Sequence, residues 1–197
     1  MINIDQNLFL FINSFVGKSP FFDGFAKLMV NEFFIPTTLS LILFGIWFYW
    51  DNPKDKDLKQ KYVVSGILAV ILASTAVVSL INNIFQRLRP FEVLDVNLLF
   101  YTPTDPSFPS NATVVVFALA TAIYLAEKRW GWIALFLAGF YGFLRIFVGI
   151  HFPLDIIVGA IIGIGSVLIV NLFDKILMQI LLFLRKALAS LKLEEFS

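Results

Sequence analysis

Long apolar runs with almost no charge constrain the fold of this chain more than any other feature. Five such runs occur, at residues 33–50, 62–81, 111–126, 130–150 and 153–173. A helix that crosses a bilayer needs about 20 mostly apolar residues, so each run predicts a membrane-spanning helix. Hydrophobic residues make up 59% of the chain and charged residues 15%, whereas soluble domains are about a quarter charged. The sequence therefore predicts an all-α integral membrane protein.

The two ends of the chain have weaker apolar patterns. Residues 1–20 place apolar side chains at intervals that suit an amphipathic helix lying in the membrane interface. Residues 174–193 are apolar only briefly and then basic, which favours a second interfacial helix, with a sixth span as the alternative. No repeat or linker divides the chain. We therefore expect a single domain, residues 1–197, with a bundle of five (possibly six) transmembrane helices in a core of residues 21–173 and interfacial helices at 1–20 and 174–197.

Lysine and arginine residues predict how the bundle is oriented. With five spans, the basic residues of the loop 51–61, of positions 128–129 and of the C-terminal tail all fall on one face. That face is expected to be cytoplasmic. The net charge of only +1 argues against a nucleic-acid partner. The opposite, outer face receives residues 87–110 and the turn before Pro153, and the polar residues gather there.

One charged residue interrupts the fourth apolar run, and the only histidine follows it. Arg145 either reaches the interface with its charged end or clamps an anion, because an unpaired charge inside a membrane is costly. His151 precedes Asp155 by four residues, and Asp155 falls in the first turn of the helix expected to begin at Pro153. Its carboxylate can reach one imidazole nitrogen and leave the other as a nucleophile or base. Favourable placement at a helix N-terminus is the simpler alternative for Asp155, and both can hold.

Further polar residues are expected at the same membrane boundary. Ser110 suits the N-cap of the third span, and the amides of Asn111 and Ala112 would then point outward, where a helix N-terminus favours phosphate. Arg87 and Arg89 follow the second span, and the planar guanidinium groups of Arg89 and Arg145 match phosphate geometry. The combination predicts a phosphoryl-transfer site. The chain has no cysteine, and no metal-ligand cluster is evident, so neither a metal nor another cofactor is expected.

These residues resemble the motifs of the type 2 phosphatidic acid phosphatase superfamily of membrane lipid phosphatases, K-x6-R-P, P-S-G-H and S-R-x5-H-x3-D. The third motif matches at Arg145, His151 and Asp155, with Leu144 in place of its serine. The first matches at Arg89 and the following proline. Three positions depart from the first two motifs, with Asn82 for the lysine, Asn111 for the glycine and Ala112 for the histidine.

The resemblance implies a two-step reaction. His151 would attack phosphorus and form a phosphohistidine, and Asp155 would orient His151. The remaining residues would hold the phosphate oxygens: Arg89, Arg145, Ser110 and Asn111, with Asn82 and Arg87 as weaker candidates. The N-terminal portion resembles the small bacterial undecaprenyl-diphosphatase branch. This implies a multi-pass protein of the bacterial inner membrane that acts on undecaprenyl diphosphate at the periplasmic face. The resemblance indicates nothing about oligomeric state.

Ala112 stands where the family has its general acid. A group of that kind contributes about 10²–10⁴-fold, and the sequence has no second histidine. The interpretation we favour is a laboratory substitution that silences the enzyme. The alternative is a natural, non-catalytic binder of lipid phosphates. The same chemistry would also suit lipid A 1-phosphate, phosphatidylglycerol phosphate or phosphatidic acid. A small transporter is less well supported, because the polar residues cluster at one end of the spans.

Overall fold

The computed structural model describes residues 4–50 and 53–190, and this part of the chain is helical, without strands. The helices are α1 (Ile4–Asn13), α2 (Pro20–Met29), α3 (Phe34–Phe48), α4 (Pro53–Leu72), α5 (Val78–Ile84), α6 (Pro90–Val93), α7 (Asn111–Ala126), α8 (Lys128–Phe147), α9 (Pro153–Asn171) and α10 (Asp174–Ser190). A π-helical segment, Ala73–Val77, joins α4 to α5 without a break.

Three helical stretches in the described residues are long and apolar enough to cross a bilayer. They are Asp55–Ile84, which includes α4, the π segment and α5, then α8 and α9. Helices α2 and α3 would form a fourth crossing if counted together, although they are bent by 49° at the break between them. The helices expected at 62–81, 130–150 and 153–173 are thus confirmed. The described helices support three or four crossings by length and composition, a smaller count than the predicted five.

The first and third apolar runs are shorter as helices than a full span. The first run forms α3, which begins at Phe34 with Pro36 in its first turn, where proline is tolerated. Before it, the side chain of Asn31 accepts a hydrogen bond from the amide of Phe33 (2.9 Å) and stabilises the bend. The third run forms α7 with the predicted bounds. Its 16 residues reach about 24 Å, less than the thickness of the hydrocarbon layer.

Helix α7 lies at the centre of the bundle and packs against α3, α4, α8 and α9. Glycines on α9 permit the close approach of α7. A Cβ on Gly159 would lie 2.9 Å from the carbonyl oxygen of Ser110, and one on Gly163 would lie 2.5 Å from that of Val114. Close contact through small residues is the usual way in which membrane helices pack. The N-terminus of α7 is therefore fixed against the first half of α9.

Ion pairs connect the basic segments at one end of the bundle. Lys59 pairs with Glu127 (3.0 Å), and Lys61 pairs with Asp174 (2.6 Å). The start of α4, the end of α7 and the start of α10 are therefore together, as the predicted basic face requires. Helix α10 covers most of the expected C-terminal helix, and residues 191–197 lie outside the described part of the chain.

The expected N-terminal segment, residues 1–20, forms α1 from Ile4 to Asn13, and α2 begins at its last residue, Pro20. Asn13 attaches α1 to the bundle, since its side-chain amide donates to the carbonyl oxygens of Phe147 (2.9 Å) and Asn97 (2.9 Å). Phe9 is fully buried and packs edge-on against Phe152, with ring centroids 5.4 Å apart. Helix α1 therefore lies against the junction between α8 and α9.

Candidate active site

His151 lies in the short turn between α8 and α9. Gly149 makes the turn possible with a φ of +95°, a left-handed conformation that residues with a side chain rarely adopt. Phe152 is extended, as a residue before proline should be. The imidazole of His151 is thereby placed inside the protein, with 2% of the residue exposed. The backbone of this junction, not a helix face, sets the position of the histidine.

Two arginines approach the same nitrogen of His151. The Nη1 atom of Arg89 lies 3.2 Å from Nε2, and the Nη2 atom of Arg145 lies 3.3 Å from it. Arg145 is only 3% exposed and donates to the hydroxyl of Tyr141 (2.9 Å). It therefore does not extend to the interface, and the structure excludes that alternative. The Nε atom of Arg145 is buried without a partner in the described residues, so a donor remains available for a ligand.

Arg89 is held in place by four further hydrogen bonds. Its Nε and Nη2 atoms donate to the backbone oxygen (2.9 Å) and the carboxylate (2.8 Å) of Asp105. Its Nη1 atom donates to the carbonyl oxygen of Ile150 (3.0 Å). Its amide donates to Glu92 (2.6 Å) at the start of α6, where Pro90 is the first residue. These contacts fix one guanidinium edge beside His151 before any ligand arrives.

The other imidazole nitrogen of His151 faces a serine that sequence analysis did not single out. The carbonyl oxygen of Ser107 lies 3.0 Å from Nδ1, and the Ser107 hydroxyl donates to Asp155 Oδ2 (2.5 Å). The direct distance from Nδ1 to Asp155 Oδ2 is 3.6 Å. A proton on Nδ1 therefore has the Ser107 carbonyl as its nearest acceptor, and this arrangement leaves Nε2 unprotonated. Asp155 acts on the imidazole across the bridging serine.

Asp155 also occupies the place expected for a carboxylate at a helix N-terminus. Its Oδ2 atom accepts from the amide of Phe152 (2.8 Å) at the start of α9. Its side chain is fully buried. Both interpretations of Asp155 from the sequence are therefore compatible with the structure, because one carboxylate stabilises the helix start and lies beside the histidine.

Burial keeps the imidazole neutral at ordinary pH. Loss of solvent lowers the pKa of His151 from 6.5 to about 4, Asp155 opposes that change, and Arg145 and Arg89 add to it. A lowered pKa means that the protonated form is reached only in acid. At neutral pH Nε2 therefore carries a lone pair, which faces the two guanidinium groups and can attack an electrophile that binds between them.

The N-terminus of α7 forms the remaining side of the site. Ser110 is buried at the predicted N-cap position, but its side chain makes no capping hydrogen bond to a backbone amide. Its oxygen instead accepts from the hydroxyl of Thr113 (2.9 Å), and its amide donates to the carbonyl oxygen of Asp155 (3.2 Å). Asn111 is exposed. Ala112 is half-buried and packs against the apolar core, so no proton donor occupies this position.

The two weaker candidates from the first motif differ in their surroundings. Arg87 does not join the other arginines. Its Nη1 atom donates to Asp155 Oδ1 (2.6 Å) and its Nη2 atom to Asp5 Oδ2 (2.5 Å). Both of these Arg87 donors are thus directed at carboxylates, and a contact between Arg87 and phosphate stays a prediction. Asn82 is half-buried, and its Oδ1 atom is buried without a partner in the described part of the chain.

The arrangement can activate a phosphate group beside a neutral nucleophile. Two guanidinium groups lie where negative charge would gather around Nε2 of His151, and preorganised charges of this kind stabilise a phosphoryl-transfer transition state. Across residues 4–50 and 53–190, no three His, Cys, Asp or Glu side chains are grouped to hold a metal ion. The cations that this part of the chain supplies to the site are therefore the arginines.

Known proteins with similar sequences and structures support the comparison of motifs. The chain is 32% identical over 171 residues to the bacitracin transport permease protein BcrC of Bacillus licheniformis, covering 86% of this chain and 79% of that protein. It is 29% identical over 131 residues to an undecaprenyl-diphosphatase of Sulfolobus acidocaldarius, covering 66% and 57%. The crystal structure of Aquifex aeolicus LpxE superposes with a TM-score of 0.70 at 32% identity, covering 87% and 96%.

The family model named PAP2 superfamily matches residues 63–178, the segment that runs from α4 to α10 and contains His151. This match extends over more than half of the 197 residues. The chain belongs to the PAP2 superfamily.

Proposed function

We propose that the chain is a membrane lipid phosphatase that removes the terminal phosphate of undecaprenyl diphosphate. The observation that carries this proposal is the convergence of Arg89 and Arg145 on Nε2 of His151, at 3.2 and 3.3 Å. A nucleophilic nitrogen flanked by two cations suits an anionic electrophile. The names of relatives point to the same substrate, since one is an undecaprenyl-diphosphatase.

The reaction proceeds in two displacements. Nε2 of His151 attacks the terminal phosphorus, an N–P bond forms, and the P–O bond to the leaving lipid monophosphate breaks. Water then attacks the phosphorus, the N–P bond breaks, and inorganic phosphate is released. Arg89 and Arg145 hold the equatorial oxygens. Ser110 and the amides at the start of α7, including that of Asn111, contact the same phosphate.

Ala112 makes the rate depend on the leaving group. A lipid monophosphate leaves from a diphosphate as a stable anion, whereas a lipid alkoxide leaving from a monophosphate needs a proton. Without a general acid the second class of substrate loses more rate. The chain as it stands should therefore favour diphosphates over monophosphates.

The whole chain forms one domain in the bacterial inner membrane. We infer five crossings, with six as the alternative, residues 1–20 and 174–197 at the interfaces, and the active site on the periplasmic side. Two features support this orientation. The basic residues Lys59 and Lys61 pair at the end of the bundle that α10 shares, and Lys and Arg favour the cytoplasmic face.

The test measures phosphate release from undecaprenyl diphosphate by the purified chain and by Ala112→His. His151→Ala in the same Ala112→His protein is the matched control. Turnover by Ala112→His that disappears in the control supports the proposal. Phosphate release that persists without His151 would overturn the proposal of a phosphohistidine intermediate. If Ala112→His releases phosphate from no lipid phosphate, the proposal that the chain is an enzyme fails.

One observation favours a second candidate function. Position 112 carries an apolar side chain and no proton donor, whereas Arg89 and Arg145 remain beside His151, and this combination suits a protein that binds lipid phosphates without releasing phosphate. Such a binder would hold lipid phosphates with equal affinity in the parent and in Ala112→His, and it would gain no turnover from Ala112→His.

The same assay with lipid A 1-phosphate, phosphatidylglycerol phosphate and phosphatidic acid tests the alternative substrates.

A further inference from the structure

A chain of charged contacts leads from the first helix to the buried carboxylate beside His151. Arg87 donates from Nη2 to Asp5 (2.5 Å) and from Nη1 to Asp155 (2.6 Å). Its guanidinium also lies over the ring of Phe152, 4.2 Å from the centroid. One arginine therefore joins a residue in the first turn of α1 to one in the first turn of α9.

Asp5 contributes a second contact to the same helix start. Its Oδ1 atom accepts from the amide of Leu154 (2.8 Å), which is one of the free amides of the first turn of α9. Its Oδ2 atom accepts from Arg87. Asp5 of α1 thus caps the N-terminus of α9 and also binds Arg87. Both contacts join segments that are far apart in the sequence.

We propose that Asp5 and Arg87 are positioning residues that hold Asp155 against Ser107 and His151 and balance the charge at the nucleophile. Neither residue touches the phosphate side of the site, where Arg89 and Arg145 lie. The catalytic part of this inference rests on the proposed function. The electrostatic part depends only on the contacts.

Charged and polar groups near His151 come from several segments of the chain. The loop before α6 supplies Arg87 and Arg89, the loop before α7 supplies Asp105 and Ser107, α8 supplies Arg145 with Tyr141, α9 supplies Asp155, and α1 supplies Asp5. Asp155 favours a positive imidazole, and the arginines oppose it. Asp5 offsets Arg87, so that Asp155 retains more of its effect on His151.

This arrangement predicts opposite effects from removing the two partners. In Asp5→Asn the positive charge of Arg87 acts on His151 without its outer counter-charge, so protonation of the imidazole becomes harder. In Arg87→Gln a positive charge is removed beside Asp155, so protonation becomes easier. A residue that served only to brace the helix would move both variants in the same direction.

The single histidine of the sequence makes the measurement direct. Histidine labelled with ¹³C and ¹⁵N gives one imidazole signal, provided that the purification tag contains no histidine. Titration of this signal in detergent micelles should show a lower pKa for His151 in Asp5→Asn than in the parent and a higher one in Arg87→Gln. The double variant should lie between the two.

Asp174→Asn is the matched control, because it removes the carboxylate of an ion pair with Lys61 (2.6 Å) at the opposite end of the bundle. It should leave the His151 titration unchanged. Equal shifts in Asp5→Asn and the control, or shifts of the same sign in Asp5→Asn and Arg87→Gln, would overturn the proposal.

Kinetics in the Ala112→His protein separate positioning from binding. Asp5→Asn should lower kcat about threefold to tenfold with little change in KM, because it disturbs His151 and leaves the phosphate-binding arginines, Arg89 and Arg145, unchanged. Asp5→Glu should restore part of the loss. If the titrations shift as expected but no variant releases phosphate, the proposed function fails and the positioning network remains. If kcat is unchanged while the parent is active, the catalytic part of the positioning proposal fails.

Discussion

The two sides of the candidate site differ in the chemical groups that they supply. The α8–α9 junction holds His151 between the Ser107 carbonyl and two arginines, and Asp155 has partners on both oxygens. The N-terminus of α7, which we call the α7 mouth, contains a buried Ser110, an exposed Asn111 and the apolar side chain of Ala112. Yet α7 remains packed against α9. The comparison indicates that helix packing keeps the backbone of this site in place even where the proton donor at position 112 is absent.

The largest effect should come from adding a proton donor at the α7 mouth. Ala112→His places an imidazole at the α7 mouth and should raise kcat towards a lipid monophosphate by about 10²–10⁴-fold. The gain towards undecaprenyl diphosphate should be smaller, because its leaving group needs a proton less. Phosphate release from both substrates, measured in the same detergent, gives the two ratios.

Ala112→Gln is the control for this change, because it adds a polar side chain of similar length that cannot act as an acid near neutral pH. It should leave both rates close to those of the parent. An equal gain for the two substrates would contradict the role assigned to a general acid at position 112.

The next largest effect should come from changing an arginine beside His151 at the α8–α9 junction. Arg145→Lys keeps a positive charge but loses the planar fork that contacts Tyr141 and His151 together. We expect kcat/KM to fall about 10²-fold, which is the loss seen when one preorganised donor is removed from a transition state. Steady-state kinetics of the Ala112→His protein with and without Arg145→Lys provide the measurement.

Lys61→Gln offers a comparison for a cation removed far from His151, since Lys61 pairs with Asp174 at the opposite end of the bundle. Its kinetics should match those of the parent. A similar loss in both variants would show that net charge, and not the position of Arg145, controls the rate.

The contact between the two sides can be tested through a glycine. In Gly159→Ala the new methyl group would lie 2.9 Å from the carbonyl oxygen of Ser110 and 3.1 Å from Thr113. Overpacking of this kind costs about 1–3 kcal/mol, and it should push the α7 mouth away from α9. The thermal midpoint in detergent should fall, and the activity of the Ala112→His protein should fall with it.

Gly165→Ala is the matched control on the same helix, since a Cβ there meets nothing within 4 Å. Replacing glycine by alanine at an open helical position is expected to be neutral or slightly stabilising. If Gly159→Ala proves as stable as Gly165→Ala, the close approach of α9 does not determine the position of the α7 mouth.

The sequence predicted the parts of the site that depend on local patterns. Helix α7 has the predicted bounds, and the spacing of Arg145, His151 and Asp155 placed the three residues at one helix junction. Sequence analysis did not identify Ser107 or Asp5, because their contacts join residues 44 and 82 positions apart in the chain. Folding creates such contacts, and no periodicity or spacing in a single sequence indicates them.

The smallest effect should come from Asn82 in α5, which stands where the first motif has lysine. Its Oδ1 atom is buried without a partner in the described residues, so Asn82→Lys would replace an unsatisfied acceptor with the cation of the motif. The cost of burying that cation offsets most of its attraction to phosphate. We therefore expect KM for undecaprenyl diphosphate to fall only about two- to fivefold, with kcat unchanged. Asn82→Met, which removes the acceptor without adding charge, separates the two causes: if it lowers KM as much as lysine does, relief of the buried oxygen and not attraction to phosphate explains the change.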